Sequence, residues 1–495
     1  MKKKLLFWIT LDLKQFFVAN YFQKFDDYEL YAIIDCPSNA KSFFKEQKLV
    51  KFNQIWFLHE QIKNSQDYSI ENLKNFENEY DLNLWELITN ERIFYRFNPF
   101  YNFDRNSLLS IDFQILSFFQ SILDSIKPDV LLTKDPGFHH LEILVRMCKK
   151  KSIQVLMPFV PKLVNRVIIT DNPTNINPKI NYNECTTQFT NFSELEKYFE
   201  EKSTSKNLKK FVKTFSSSSS TMKFKVFLKY IFSNSNSQKE LYTYYGRTKY
   251  KVILNYISLA IKKRIRKNFI DKNLTMQPDL KTPFVYFALG VDMERNLLIG
   301  SPFLNNQIEI IRTIVKSLPV DFSLYVKETP GQATREWRTT DEYKEIMSIP
   351  NVKLIHPDFP SRDLLKHSSL VMTIAGSSGF EAAIYQKPSI VFSNPIYSIL
   401  PSVTIVTDLT KLRNDIKNSL STKVQAYDIG KYIDFIEKNS IEWPFDQFDV
   451  SVVNQFHFSG LLLDTEIDQF VAKQFSIENH DLIKNLAEEL HSSIN

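Results

Sequence analysis

The chain has 495 residues, 43% of them hydrophobic, which is too long for one ordinary domain and supplies enough apolar material for two or three cores. A formal charge of +6 is too modest to identify a polyanionic partner, and no stretch reaches the roughly 18 to 20 uncharged apolar residues that cross a bilayer. Cys36, Cys148 and Cys185 match no zinc or disulfide spacing, so the expected setting is a reducing one, the cytoplasm.

The opening lysines are followed only by the short run Leu5 to Thr10, which reads as a first strand rather than a signal peptide. Leu30 to Asp35 and Gln54 to Leu58 are further short apolar runs with strand character. Ser107 to Ile126 carries apolar residues at helical spacing and stops before Pro128, after which Asp129 to Thr133 returns to strand. With the loop Lys134 to His140, the helical Leu141 to Lys149 and the apolar Gln154 to Met157, this forms a βαβ unit, which requires a parallel sheet. Ligands in such sheets sit beyond the strand C-termini.

Between Thr186 and Lys281 the alternation breaks down. The polar tract Ser216 to Ser220 precedes a basic amphipathic region, Lys239 to Lys272, whose segment Ile261 to Lys267 reads either as a solvated helix face or as a surface for anionic lipid. From Pro283 the alternation returns through Phe284 to Ala288, a helical Asn306 to Ser317, Phe322 to Val326, Val352 to Ile355, Leu370 to Ile374, Ser389 to Phe392 and Val403 to Val406. The expected fold is therefore α/β, with two Rossmann-like doubly wound parallel-sheet domains, a helical basic insert and a helical C-terminal tail. The expected boundaries are 1–185, 186–281, 282–431 and 432–495.

Only nine glycines occur, and two of them, Gly376 and Gly379, frame a pair of serines where an apolar strand runs into a helix. Such a pair points to a backbone that turns sharply or meets a ligand closely. The start of a helix favours an anion, Ser377 and Ser378 add hydroxyl donors, and Glu381 can accept from ribose hydroxyls; the alternative is serine capping with a solvated glutamate. The spacing fits neither a Walker loop nor G-x-G-x-x-G, which removes support for ATPase and dehydrogenase chemistry. Lys327, Glu328, Thr329 and Pro330 end another strand, where the lysine neutralises a leaving phosphate or forms an ordinary ion pair; His356 ends a third, as a phosphate donor or a turn residue.

The arrangement resembles the capsule and surface polysaccharide biosynthesis proteins that include bacterial Kdo transferases of GT-B type. The resemblance runs from Tyr286 to Val406 and rests on Gln307, Leu318-Pro319, Leu324-Tyr325-Val326-Lys327-Glu328, Pro350-Asn351-Val352 and Gly376-Ser377-Ser378-Gly379-Phe380-Glu381-Ala382. In that family a His-Pro pair and a Ser-Ser pair contact the nucleotide of a CMP-activated sugar. Ser377-Ser378 matches, whereas the family's Lys-Glu-His-Pro reads Lys327-Glu328-Thr329-Pro330, and threonine cannot carry a proton as histidine does. The resemblance implies a glycosyltransferase that uses a CMP- or UDP-linked sugar as substrate, needs no cofactor, and acts on a surface polysaccharide or glycolipid.

Glycosyl transfer needs a base for the acceptor hydroxyl. The loop Asp135 to His140 is expected to supply it, with Asp135 first, then His139 and His140; an Asp-Pro-Gly turn with capping histidines is the competing account. No Asp-x-Asp pair or His/Cys cluster asks for a metal. The aromatic and basic stretch Arg92 to Tyr101 stacks on acceptor sugars or fills the core, and nothing recommends a nucleic-acid partner. The expected place of work is the inner face of the membrane, with the basic 239–272 region against anionic lipid. Two rivals stand beside this: a teichoic-acid-type polyol-phosphate transferase, and a non-catalytic scaffold of the same fold, which Thr329 favours.

Overall fold

The structure is a computed structural model that describes residues 2–494 except 64, 65, 164, 175, 177, 203–218, 234–236, 293 and 330. Most of the polar tract Ser216 to Ser220 and the candidate Pro330 lie outside the described residues.

Among the described residues the strands form two sheets. The first contains β1 (Lys3–Thr10), β2 (Tyr28–Asp35), β3 (Gln54–Phe57), β4 (Val130–Leu132), β5 (Gln154–Phe159), β6 (Arg166–Thr170) and, from the far end of the chain, β13 (Ile441–Glu442), in the order β13-β6-β5-β4-β1-β2-β3. The second contains β7 (Phe284–Ala288), β8 (Ser323–Lys327), β9 (Val352–Ile355), β10 (Leu370–Thr373), β11 (Ser389–Val391) and β12 (Val403–Ile405), in the order β12-β11-β10-β7-β8-β9. All pairs are parallel except β5 with β6 and β6 with β13. The first sheet is thus parallel with an antiparallel edge, not parallel throughout. The sequence reading passed over β6 and β13 because the first follows a bend and the second is two residues long.

Both sheets are covered on both faces, which explains why their strands read as unbroken apolar runs. Along β1, Leu5, Phe7 and Ile9 enter one core while Leu6 and Trp8 enter the other. The second of these cores is completed by the helices Arg105–Ile126 and His139–Lys150, and Ile93, Phe94 and Tyr101 of the stretch Arg92 to Tyr101 pack in it or against it. In the second sheet, Val285, Phe287, Leu324, Val326, Leu370 and Met372 share one face, and Phe284, Tyr286, Tyr325 and Val371 the other.

The segment between the sheets docks piecewise rather than as a separate body. Tyr242 and Tyr245 are buried in the N-terminal half, while the helix Lys249–Asn273 ends with Ile270 in the C-terminal core. The tail returns to the first sheet. After Ala426–Lys438, whose Tyr432 packs on Phe380, the chain crosses back through β13, and Phe448, Phe456, Phe475, Leu486 and Leu490 of the last three helices close the core under β1.

Candidate functional site

In each sheet the strand order reverses beside the first strand, between β1 and β4 and between β7 and β10. Loops leaving those strand ends therefore define the crevice. From the first sheet come Asp135, after β4, and Lys162, after β5. From the second come Arg295, which begins the short helix after β7, and Ala375, after β10. Lys162, Thr174, Arg295, Gly300, Ala375 and Ser393 line one cavity between the two halves.

This cavity is charged with both signs. Lys162 sits in a left-handed backbone conformation (φ 64°), and burial lowers its pKa although Glu294, Asp135 and Glu381 act to raise it. Asp135 approaches Arg295 across the interface at 3.1 Å. The contact is an ion pair without hydrogen-bond alignment, since Asp135 Oδ1 and Arg295 Nε are both buried and have no hydrogen-bond partner. Burial raises the Asp135 pKa against the pull of Arg295, so its carboxylate is more basic than an exposed one. Asn305 donates to Asn90 at 2.6 Å and Arg96 pairs with Glu336 at 3.3 Å, which bridges the halves around the crevice.

The serine segment lies at this crevice but is built differently from the expectation. Ser377 is the N-cap of the helix Ser378–Ile384, has helical φ and ψ, makes no side-chain cap, and donates to Glu381 Oε1 at 2.8 Å. A seven-residue helix aligns few peptide dipoles, so the anion attraction expected of its start is small. Ser378 Oγ is buried without a hydrogen-bond partner. Burial raises the Glu381 pKa, partly offset by the Ser377 hydroxyl and Lys162. The two glycines have a packing reason, not a conformational one: neither has a positive φ. A Cβ on Gly376 would stand 2.7 Å from Thr373 Oγ1, and one on Gly379 would stand 2.6 Å from the Tyr397 hydroxyl.

Four further candidates have partners within the protein. Glu328 is fully buried and accepts from Arg338 Nε at 2.7 Å and from the Tyr343 hydroxyl at 3.3 Å. Lys327 is 2% exposed and donates to Ser361 at 2.8 Å. Lys327 ends β8 and Glu328 follows it, one strand away from the reversal between β7 and β10. Thr329 serves its own turn, its hydroxyl accepting from Gly331 N at 3.4 Å. His356 has both ring nitrogens engaged, with Asp271 at 3.0 Å and with the Asp358 amide at 3.1 Å.

The two histidines of the first half are core groups as well. His139 lies between Glu91 and Asp112, each at 3.0 Å; burial alone would lower its pKa, but the two carboxylates push it up to about 9. An imidazole held protonated there cannot serve as a base. His140 bonds the Tyr242 hydroxyl at 2.8 Å and faces Asp35 at 3.4 Å. Of the three candidate bases Asp135 pairs with Arg295 of the other half, while His139 lines a second cavity with Leu298 and Ile299.

Sequence reasoning missed Lys162 and Arg295, along with the network that positions the second. Gln307 donates to the Gly290 carbonyl at 3.1 Å and to Asp292 at 3.0 Å, and accepts from Gly290 N at 2.7 Å. Arg338 bonds the Gly290 carbonyl at 3.1 Å, Asp292 at 2.6 Å and Glu328. The loop that delivers Arg295 is therefore fixed from both sides, and Glu328 acts through Arg338. Placement of β7 beside the reversal was the available signal for Arg295. Lys162 follows a bend that carried none.

Two facing Rossmann-like sheets with a charged, partly unsatisfied crevice between their strand ends define a GT-B-like protein. Residues 190–427, just under half the chain, match the family described as capsule polysaccharide biosynthesis protein, which bears out the resemblance drawn from Tyr286 to Val406. No protein of curated function matches the chain in sequence. Similar solved structures include a UDP-GlcNAc 2-epimerase from Methanocaldococcus jannaschii, 14% identical with a TM-score of 0.26, covering 88% of this chain and 98% of its own. Another is KpsC, the beta Kdo 2,7 transferase of Thermosulfurimonas dismutans, 10% identical with a TM-score of 0.30, covering 79% of this chain and 98% of its own. Scores of this size say nothing of chemistry, and the architecture rests on the strand pairings themselves.

Proposed function

We propose that the protein transfers a sugar from a nucleotide-sugar donor to a surface, capsule-like polysaccharide or glycolipid, with the donor held between the two sheets. The observation that carries this is the convergence of Arg295, Lys162 and Asp135 at the crevice, two of whose buried polar atoms, Asp135 Oδ1 and Arg295 Nε, have no hydrogen-bond partner. The two atoms face each other in an ion pair without hydrogen-bond alignment, so a polar ligand that bonds either of them breaks no formed hydrogen bond. The match to the capsule biosynthesis family over 190–427 supports the substrate class.

In this reading Arg295 and Lys162 neutralise the charge that develops on the leaving nucleotide phosphate. Asp135, made more basic by burial, takes the proton of the acceptor hydroxyl as its oxygen attacks the anomeric carbon and the bond to phosphate breaks. The Ser378 hydroxyl and Glu381 hydrogen-bond the donor. No step calls for a metal or a cofactor.

Product analysis with CMP-, UDP- and GDP-sugars tests the reading. A new glycosidic bond supports it. A new phosphodiester instead makes the protein a polyol-phosphate transferase. Absence of both product and nucleotide binding makes it a scaffold, the outcome that Thr329 in place of the family histidine would then explain.

A further inference from the structure

Two helices of the segment between the sheets expose apolar side chains that a protein standing alone in water would bury. The helix Lys249–Asn273 holds eight Lys and Arg and a single carboxylate, Asp271. Tyr250, Leu254, Ile257, Ile261 and Ile265 recur at spacings of three and four, so they form one stripe along it. They are 47–72% exposed. On a helical projection Lys251 and Lys262 flank this stripe on one side and Arg264 on the other.

The remaining side holds the helix to the body of the protein. Arg266 bonds Glu336 and the Trp337 carbonyl, each at 2.6 Å, Lys263 bonds the Ala333 carbonyl at 2.8 Å, and Ile270 is buried. The helix Ser220–Phe232 repeats the pattern: Phe224, Phe227, Leu228 and Phe232 are exposed, Lys223, Lys225 and Lys229 lie among them, and it has no carboxylate. Lys249 Nζ donates to the carbonyls of Ile231 and Ser233, which ties the start of one helix to the end of the other.

We propose that this pair of helices is a docking surface for an anionic lipid bilayer, lying in the interface with its apolar stripes among the acyl chains and its lysines and arginines at the phosphates. Charge complementarity selects this occupant: Lys251, Lys262 and Arg264 flank one stripe, Lys223, Lys225 and Lys229 lie among the apolar side chains of the other, and the single carboxylate of the two helices, Asp271, lies past the end of the stripe. Attachment is in the plane of the membrane, since among the described residues no helix is long and apolar enough to cross one. The surface overlaps the 239–272 region expected from sequence and adds the helix Ser220–Phe232 to it. Tyr242 and Tyr245 of that region are buried, and Lys263 and Arg266 face the body of the protein.

The proposal does not depend on the chemistry of the crevice, and its test reads binding alone. The full chain is floated with vesicles of phosphatidylcholine containing phosphatidylglycerol and, separately, of phosphatidylcholine only. The wild type is expected to float with the anionic vesicles, to be released by high salt, and not to float with the neutral ones. The double variant Ile257→Ser, Ile261→Ser is expected to bind the anionic vesicles at least about tenfold more weakly, as is the triple variant Lys251→Ser, Lys262→Ser, Arg264→Ser. All these positions are exposed, and an unchanged thermal melt verifies the fold of each variant. Equal binding to both vesicle types, or a double variant that floats like the wild type, overturns the proposal. So does a dimer in light scattering that the double variant dissolves, which assigns the stripe to a second copy.

Discussion

Arg295 and Asp135 meet at 3.1 Å from opposite halves of the molecule without a proper hydrogen bond between them. A donor phosphate that takes up Arg295 would free Asp135 for the acceptor. Asp135→Asn is accordingly expected to abolish turnover while leaving donor affinity within about twofold, as measured by initial rates beside calorimetry. With Asp135 intact, activity should fall on the acid side through a pKa above the ordinary carboxylate value, because burial raises it. A variant that keeps wild-type turnover would remove Asp135 from the mechanism. His139 makes a different prediction. Its pKa of about 9 in the fold stands above the ordinary 6.5, so its stabilising contribution is complete below pH 6.5 and lost as the pH climbs through 9. The difference in melting temperature between wild type and His139→Gln should narrow over that range; a constant difference would contradict the buried charged triad.

At the level of elements, the loop between β7 and Arg295 is held by Gln307 and Arg338, and the start of the helix Ser378–Ile384 is pressed against Tyr397. Arg338→Met leaves Glu328 and Asp292 without their common cation. It should destabilise the protein by about 3–5 kcal/mol in denaturant titration and weaken donor binding as the loop loosens. Gly379→Ala should cost about 1–3 kcal/mol, because the added methyl meets the Tyr397 ring and hydroxyl within a packed core. These elements also show what the sequence could reveal. Strands such as β1, β7 and β10 are buried on both faces and announce themselves as apolar runs. The Gln307, Glu328 and Gly376–Glu381 positions were visible as a pattern, but their roles were not, because the partners of each come from distant segments: Gly290 for Gln307, Arg338 for Glu328, Tyr397 for Gly379. Lys162 was beyond reach, since only the folded chain brings a bend after β5 opposite Ala375.

At the scale of the whole molecule, the returning tail makes the two halves interdependent. β13 joins the first sheet after the chain has finished the second, and the last three helices complete the core beneath β1. The crevice is thus framed by two rigid sheets, with the ion pair and the Asn305–Asn90 bond spanning it. A ligand seated there touches both halves and should stabilise the native state by about 2.7 kcal/mol at a hundred times its dissociation constant. Calorimetric titration of the full chain with CMP-, UDP- and GDP-linked sugars, repeated on Arg295→Ala, Lys162→Ala and the pair Ser378→Ala, Glu381→Ala, measures the central claim directly. The expected result is saturable binding of one nucleotide class by the wild type and at least about tenfold weaker binding in each cation variant, close to the 1.4 kcal/mol that a tenfold change represents. Binding by the wild type that survives undiminished in Arg295→Ala and Lys162→Ala would contradict it.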